Sequence, residues 1–222
     1  MTAAAGNGGD PARHVHDIAG LPVLFVMATD HEYGPHLQKL ITPLITGVGP
    51  VEAAAATGAA LAGLAQAGRP PRLVVSLGTA GSRNLDHAGV YQIASVAYRD
   101  MDASALGFAP GVTPFLGEPA ITEIAARIPG VPAASLSTGA NIVSGAAYDG
   151  IKADMVDMES YAVHRAARRF GLPMVGLRGI SDGRADLTGL HDWTEYLHIL
   201  DEKLAAILEA LPGHVASGRF SI

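Results

Sequence analysis

The sequence predicts an α/β fold: a single domain with a central, mostly parallel mixed sheet flanked by helices. Short apolar runs of strand length recur along its 222 residues without a clean two-residue alternation, as expected of strands buried on both faces. Segments of helical composition fall between them, the alternation that crossover connections in a parallel sheet require. No internal repeat, low-complexity block or Ser/Pro linker divides the chain. Residues 21–222 therefore read as one domain behind a flexible N-terminal tail of residues 1–20.

The elements follow in order. "LPVLFVMA" (21–28) is an apolar strand, and "ITPLITG" (41–47) is a weaker one broken by Pro43. "VEAAAATGAALAGLAQAG" (51–68) is rich in Ala, which favours helix, and its small residues allow close packing on a sheet. Strand character returns at 71–78, 89–98, 131–137, 153–158 and 172–180, with helical patterns at about 117–128, 160–170 and 192–211.

Composition excludes several function classes. A formal net charge of -6 disfavours a surface built to neutralise phosphate backbones, so no nucleic-acid partner is expected. The longest low-polarity segment, 53–65, is shorter than the roughly 20 residues that span a bilayer, so no membrane partner is expected either. The N-terminus lacks the apolar run of a signal peptide, and Cys is absent, which removes disulfides and thiolate chemistry and agrees with a cytoplasmic location. His14 and His16 form an H-x-H pair in the tail, where histidines are usually solvated. "HEYGPH" (31–36) is not a zinc helix motif, because Gly34-Pro35 interrupts the helix that would align its histidines. Neither a metal nor a cofactor is expected.

In open α/β sheets ligands gather beyond the carboxyl ends of the strands. The residues there are "TDHEYG", "GTAGS", "ES" and "SDGRAD", which would place carboxylates, a Gly-rich turn and a Ser-Asp pair at one edge. "GVGPVE" (47–52) has two glycines of a dinucleotide fingerprint but Glu52 at the third position, and reads as a tight turn before the Ala-rich helix. "GISDG" (179–183) matches a serine-hydrolase nucleophile elbow, with Asp186 and His191 available downstream, yet the loop-like "GRADLTG" follows where that motif needs a helix. "VDMES" sets Asp157 and Glu159 after a strand, where a buried carboxylate needs a partner to be tolerable. Asp157 carries no assigned role and is expected to pair locally or point away.

Taken together, "ATDHE" (28–32), "LGTAGS" (77–82), "VDMES" (156–160) and "LRGISDG" (177–183) resemble the purine nucleosidase and phosphorylase superfamily, and within it most the 5′-methylthioadenosine/S-adenosylhomocysteine nucleosidases. The resemblance runs from about residue 22 to 211, and its most specific part is V-[DE]-M-E followed by R-x-[IL]-S-D. It implies a nucleoside phosphorylase-like fold, a homodimer, and hydrolysis of the N-ribosidic bond of an adenine nucleoside. Such a reaction passes through an oxocarbenium-like sugar and wants a base for water and a proton for the leaving group. By position, Glu32 would activate water, Asp182 would assist purine N7, and Glu159 would accept hydrogen bonds from the ribose hydroxyls.

The same match implies that Thr79 holds the water, Met158 packs under the ribose, Arg178 steadies the acid and water cluster, and Ser181 orients Asp182. "STGANIV" (137–143) resembles the purine-flanking segment. Ile142 stands where the family commonly stacks an aromatic ring, and Val143 would offer backbone hydrogen bonds. Phe108, in "YRDMDASALGFAPG" (98–111), would line the 5′-substituent pocket of a partner copy. The phosphorylases of this superfamily hold phosphate with arginines, one of them two positions before the Gly-[ST] turn. That position is Ser76 here, and Glu32 would repel a phosphate dianion, so water rather than phosphate is the expected nucleophile. A phosphorolytic enzyme, a serine hydrolase and a nucleoside-binding protein without catalysis are the alternatives.

Overall fold

The computed structural model describes residues 10–186 and 188–220. Nine strands form one mixed sheet: β1 (Val15–Ile18), β2 (Leu21–Met27), β3 (Leu44–Ile45), β4 (Leu73–Gly81), β5 (Val90–Tyr98), β6 (Ile121–Glu123), β7 (Ala133–Thr138), β8 (Met155–Asp157) and β9 (Met174–Asp182). The helices are α1 (Pro50–Gln66), α2 (Ser160–Arg169), α3 (Leu190–Thr194) and α4 (Leu197–Ala216).

Strands β2, β4 and β9 run parallel side by side, so their carboxyl ends share one edge. β5 joins β9 antiparallel and carries β7 parallel, and β7 carries β8 parallel. β8 then returns to β4 through the antiparallel pair Gly81↔Val156, which closes the sheet on itself. The end of β8 thus reaches the ends of β4 and β9 by closure, although β8 runs opposite to β4.

The apolar runs lack a two-residue period because both faces of the sheet are covered. Along β2, Leu24 and Val26 pack with α1 residues Ala60, Leu61 and Leu64 and α2 residues Ala162, Val163 and Ala167. Val23, Phe25 and Met27 face the other way, onto α4 residues Leu204, Ala205, Leu208 and Leu211. At roughly 25 cal/mol per Å² of apolar surface, these two cores are the main favourable contribution to the fold.

Three expectations need correction. Residues 1–9 lie outside the described residues, but the supposed tail is ordered from Asp10: a 3-10 turn, Pro11–His14, leads into β1 of the sheet. β1 pairs with β2 through a two-residue turn, Ala19-Gly20, with φ of 51° and 85°, the left-handed pair that a tight hairpin demands. His14 is accordingly buried and His16 half-buried: His14 Nδ1 lies 3.0 Å from Thr42 O, and the Thr42 N–H donates to His16 Nε2 at 2.9 Å. The expected helix at 117–128 is instead β6, hydrogen-bonded to the otherwise open edge of β5, followed by an extended stretch. Its residues Ile124, Ala126 and Ile128 are buried in alternation, and Pro119 and Pro129 leave too short a span between them for a stable helix. Finally, the helix expected at 192–211 is two helices, α3 and α4.

Candidate active site

The carboxyl edge of β2, β4 and β9 carries the site. After β2, the short turn Asp30–Glu32 is capped by the Thr29 side chain and lays Glu32 over the end of β4. There Thr79 donates twice to Glu32 Oε1, from its backbone N–H at 2.8 Å and its hydroxyl at 2.6 Å. Glu32 Oε2 is buried and has no hydrogen-bond partner. Burial raises the Glu32 pKa above the ordinary carboxylate value, and the two bonds from Thr79 and the charge of Arg178 oppose that rise.

A small cavity lies beside this carboxylate, lined by Glu32, Thr79, Ser76, Arg178 and Glu159 together with Met27 and Val163. It offers about 10 Å³ to water centres, the room that one water molecule needs. Four residues the sequence singled out, Glu32, Thr79, Glu159 and Arg178, therefore meet around one cavity.

The two acids of "VDMES" have different surroundings. Asp157 is buried and saturated: it pairs with Arg178 at 3.0 Å, accepts from the Thr138 hydroxyl at 2.6 Å, and accepts from the Ser160 N–H and hydroxyl at the start of α2. Arg178 also donates to Ser76 Oγ at 3.0 Å and Ser160 Oγ at 2.7 Å, so its charge is fully engaged. Ser76 is thus part of the network that anchors Arg178. Glu159 receives a single N–H, from Gly49 at 2.8 Å, at the N-terminus of α1. Its pKa is pushed up to about 7 by burial first and by the neighbouring Asp157 charge second. It is the acid left with capacity to accept further donors.

Asp182 closes β9 on the same edge. Ser181 Oγ donates to Asp182 Oδ2 at 2.8 Å, and burial raises the Asp182 pKa despite that bond. The serine-hydrolase reading loses its geometry here. β9 runs on through Ser181 and Asp182 without an elbow, and the Ser181 hydroxyl, 1% exposed, is bonded to a carboxylate rather than an imidazole. Met158 is half-buried between Asp157 and Glu159, outside the cavity wall. Val143 is buried against Tyr148 and Val156, whereas Ile142 is 70% exposed. Phe108 lies edge-on to Phe115 at 5.5 Å between centroids, outside the cavity wall.

Three residues near the site were not foreseen. Trp193 of α3 donates its indole N–H to Thr79 Oγ1 at 2.9 Å. Arg99 gathers the carbonyls of Ser137, Asp157 and Asn141, tying the 137–143 segment to the end of β8. Tyr148 places a buried hydroxyl without a hydrogen-bond partner beside Gly81, where a Cβ would also stand 2.6 Å from Asp182 Oδ1. None was singled out by the motifs, although Arg99 begins the quoted 98–111 segment after Tyr98; an aromatic or Arg in a loop signals a site only after folding has brought it there. Among the described residues no group of three or more His, Cys, Asp or Glu could hold a metal ion, and no helix is long and apolar enough to cross a membrane.

A mixed sheet clothed by helices on both faces, with buried acids converging at its carboxyl edge, defines an α/β protein with an acid-lined candidate site. The sequence profile of the Phosphorylase superfamily matches residues 9–211, and the chain belongs to that family. A curated relative from Actinobacillus succinogenes, a 5′-methylthioadenosine/S-adenosylhomocysteine nucleosidase, is 28% identical over 216 residues, covering 86% of this chain and 90% of its own. Among solved structures, the Neisseria meningitidis 5′-methylthioadenosine/S-adenosylhomocysteine nucleosidase in complex with methylthio-immucillin-A superposes with a TM-score of 0.66 at 20% identity, over 86% of this chain and 97% of its own. A mutant of Helicobacter pylori futalosine hydrolase gives a TM-score of 0.69 at 18% identity, over 84% of this chain and 96% of its own. The superfamily that the motifs resembled is thus the chain's own, and the curated relative carries the nucleosidase name to which those motifs pointed.

Proposed function

We propose that this protein hydrolyses the N-ribosidic bond of an adenine nucleoside such as 5′-methylthioadenosine or S-adenosylhomocysteine, releasing free base and a 5-substituted ribose. The observation that carries this reading is the Glu32 carboxylate, fixed through one oxygen by Thr79 with the other unpartnered beside a cavity of water size. A carboxylate held this way takes a proton from water as the water attacks the anomeric carbon, and its raised pKa makes it a better base than a solvated one. Asp182, whose own pKa is raised by burial, is the acid that shares a proton with purine N7 as the bond to the sugar breaks. Ser181 orients that carboxyl.

Glu159 accepts hydrogen bonds from the ribose hydroxyls, and its anion favours the cationic sugar of the transition state. With its pKa near 7, Glu159 is poised so that those donors and that cation draw it into the ionised form. Arg178 holds the acid and water cluster together from its buried ion pair with Asp157. Met158 packs under the ribose, Val143 offers backbone hydrogen bonds to the purine edge, and Ile142 covers the base.

The working form is a cytoplasmic homodimer in which Phe108 of one copy lines the 5′ pocket of the other. The exposed apolar side chains Val48, Val51 and Phe115, the last 94% exposed, support a second copy as their cover.

A panel of nucleosides assayed for free base, with and without phosphate, tests the reading. Base release from 5′-methylthioadenosine is expected without phosphate, and Glu32→Gln and Asp182→Asn should each lower kcat by about 10²-fold or more while the fold persists. Full activity in either variant contradicts the assigned chemistry. A fluorophosphonate should leave Ser181 unlabelled; labelling with loss of an esterase activity would revive the hydrolase alternative. Binding of adenosine analogues in a calorimeter with no base released over hours would leave a nucleoside-binding protein instead.

A further inference from the structure

We propose that Trp193 is a positioning residue for Glu32: its indole N–H locks the Thr79 hydroxyl so that the hydroxyl proton points at Glu32 Oε1 and Oε2 is left as the basic atom. The inference rests on the reading of Glu32 as the base that activates water. The donor and acceptor inventory carries it. A threonine hydroxyl has one proton and two lone pairs, while an indole N–H can only donate. Trp193 Nε1, 2.9 Å from Thr79 Oγ1, occupies one lone pair and cannot receive the hydroxyl proton. The remaining acceptor in reach is Glu32 Oε1, at 2.6 Å, and the Thr79 backbone N–H converges on that same oxygen. Both bonds load Oε1, and Oε2 stays buried without a partner.

Trp193 is held for this task. In the short helix α3 the Asp192 carboxylate accepts from the Thr188 N–H at 2.6 Å, the Thr188 hydroxyl at 2.9 Å and the Gly189 N–H at 3.2 Å, which ties the entry loop to the helix. The indole ring leans toward His31, next to Glu32, with centroids 6.2 Å apart. One side chain from the C-terminal quarter of the chain thus latches onto both the β4 and the β2 side of the water cavity. The charged groups around Glu32 are Arg178 from β9, which favours its anion, and Asp157 from β8 and Glu159 before α2, which oppose it. His31 lies on its own turn. Against that fixed background, the Thr79 hydroxyl is the neutral group that a neighbour can switch from donor to bystander by rotation.

Trp193→Phe keeps the ring and removes the donor. The expected result, with 5′-methylthioadenosine as substrate, is a kcat about three- to tenfold lower with KM changed less than about twofold, the loss of one net hydrogen bond acting in the transition state. The acid limb of the kcat/KM profile should also move to higher pH, because a carboxylate that loses a donor holds its proton more tightly. In a Thr79→Val background the same substitution should change neither quantity. Should Trp193→Phe fold poorly, benzothienylalanine at position 193 keeps the shape, lacks the N–H and carries the same expectations. An unmoved acid limb with unchanged kcat, or an equal effect in the Thr79→Val background, overturns the inference. Glu32→Gln in the same assay separates the two failures. An active Glu32→Gln sinks the base itself, whereas an inactive Glu32→Gln beside an unaltered Trp193→Phe sinks only the positioning role.

Discussion

At the scale of single residues, two acids two positions apart, Asp157 and Glu159, meet different environments. Asp157 is neutralised by Arg178 and accepts from three further donors, the Thr138 hydroxyl and the Ser160 N–H and hydroxyl, so removing it strands a buried cation. Asp157→Ala should cost about 3 to 5 kcal/mol in chemical denaturation. Glu159, held by one N–H, has its folded pKa raised to about 7 from an ordinary 4.5. A carboxyl whose folded pKa is raised contributes its stability in full below the unfolded value and loses it as pH climbs through the folded one. Glu159→Gln should therefore raise the melting temperature at pH 8 by about 5 °C relative to its effect at pH 4, while activity falls. Equal shifts at both pH values would show that the acid carries no ionisation cost. Gly81→Ala tests the opposite edge of the site. Its Cβ would run into the Tyr148 hydroxyl and stand 2.6 Å from Asp182 Oδ1, so activity should drop more than stability.

The sequence made Glu32, Glu159 and Asp182 legible because each sits in a short run with a backbone reason to be where it is, directly after a strand. It left the partner of Asp157 open, because an ion pair between residues 157 and 178 depends on β8 meeting β9 through a closed sheet. Trp193 and Tyr148 were invisible for the same reason: each reaches the site from a loop or short helix whose placement is a tertiary fact.

At the scale of elements, the strands that cross the core were readable and the edges were not. β2, β4 and β9 are set by apolar runs, and α1 and α2 by small or amphipathic composition. β1 and β6 exist because open edges of β2 and β5 take up whatever extended segment lies near, an outcome of sheet closure rather than of local propensity. α2 also carries a cost. His164 is buried with neither ring nitrogen hydrogen-bonded, and burial, with the nearby Arg168 and Arg165 charges, pushes its pKa down to about 4. A histidine depressed in the folded state loses stability for the protein as pH falls below its unfolded value, near 6.5, toward 4. His164→Leu should flatten the fall of melting temperature over that interval; an unchanged slope would assign acid sensitivity elsewhere.

At the scale of the whole molecule, closure of the sheet is what gathers the candidate site's residues from the ends of four strands. The parallel trio β2, β4 and β9 supplies Glu32, Thr79, Arg178 and Asp182, and the returning β8 delivers Asp157 and Glu159 to the same edge. Around that edge the chain leaves apolar side chains uncovered. Sedimentation should accordingly report a dimer, and Val51→Glu, at a position 76% exposed in one copy, should shift it toward monomer. A monomer at micromolar concentration would contradict the proposed place of Phe108 in a partner's 5′ pocket. The measurement that bears most directly on the central claim is the identity of the sugar formed from 5′-methylthioadenosine in millimolar phosphate, read by mass spectrometry. Glu32 beside a cavity for one water, with Ser76 in place of a phosphate-binding arginine, predicts free 5-methylthioribose; the 1-phosphate ester as the main product would contradict it.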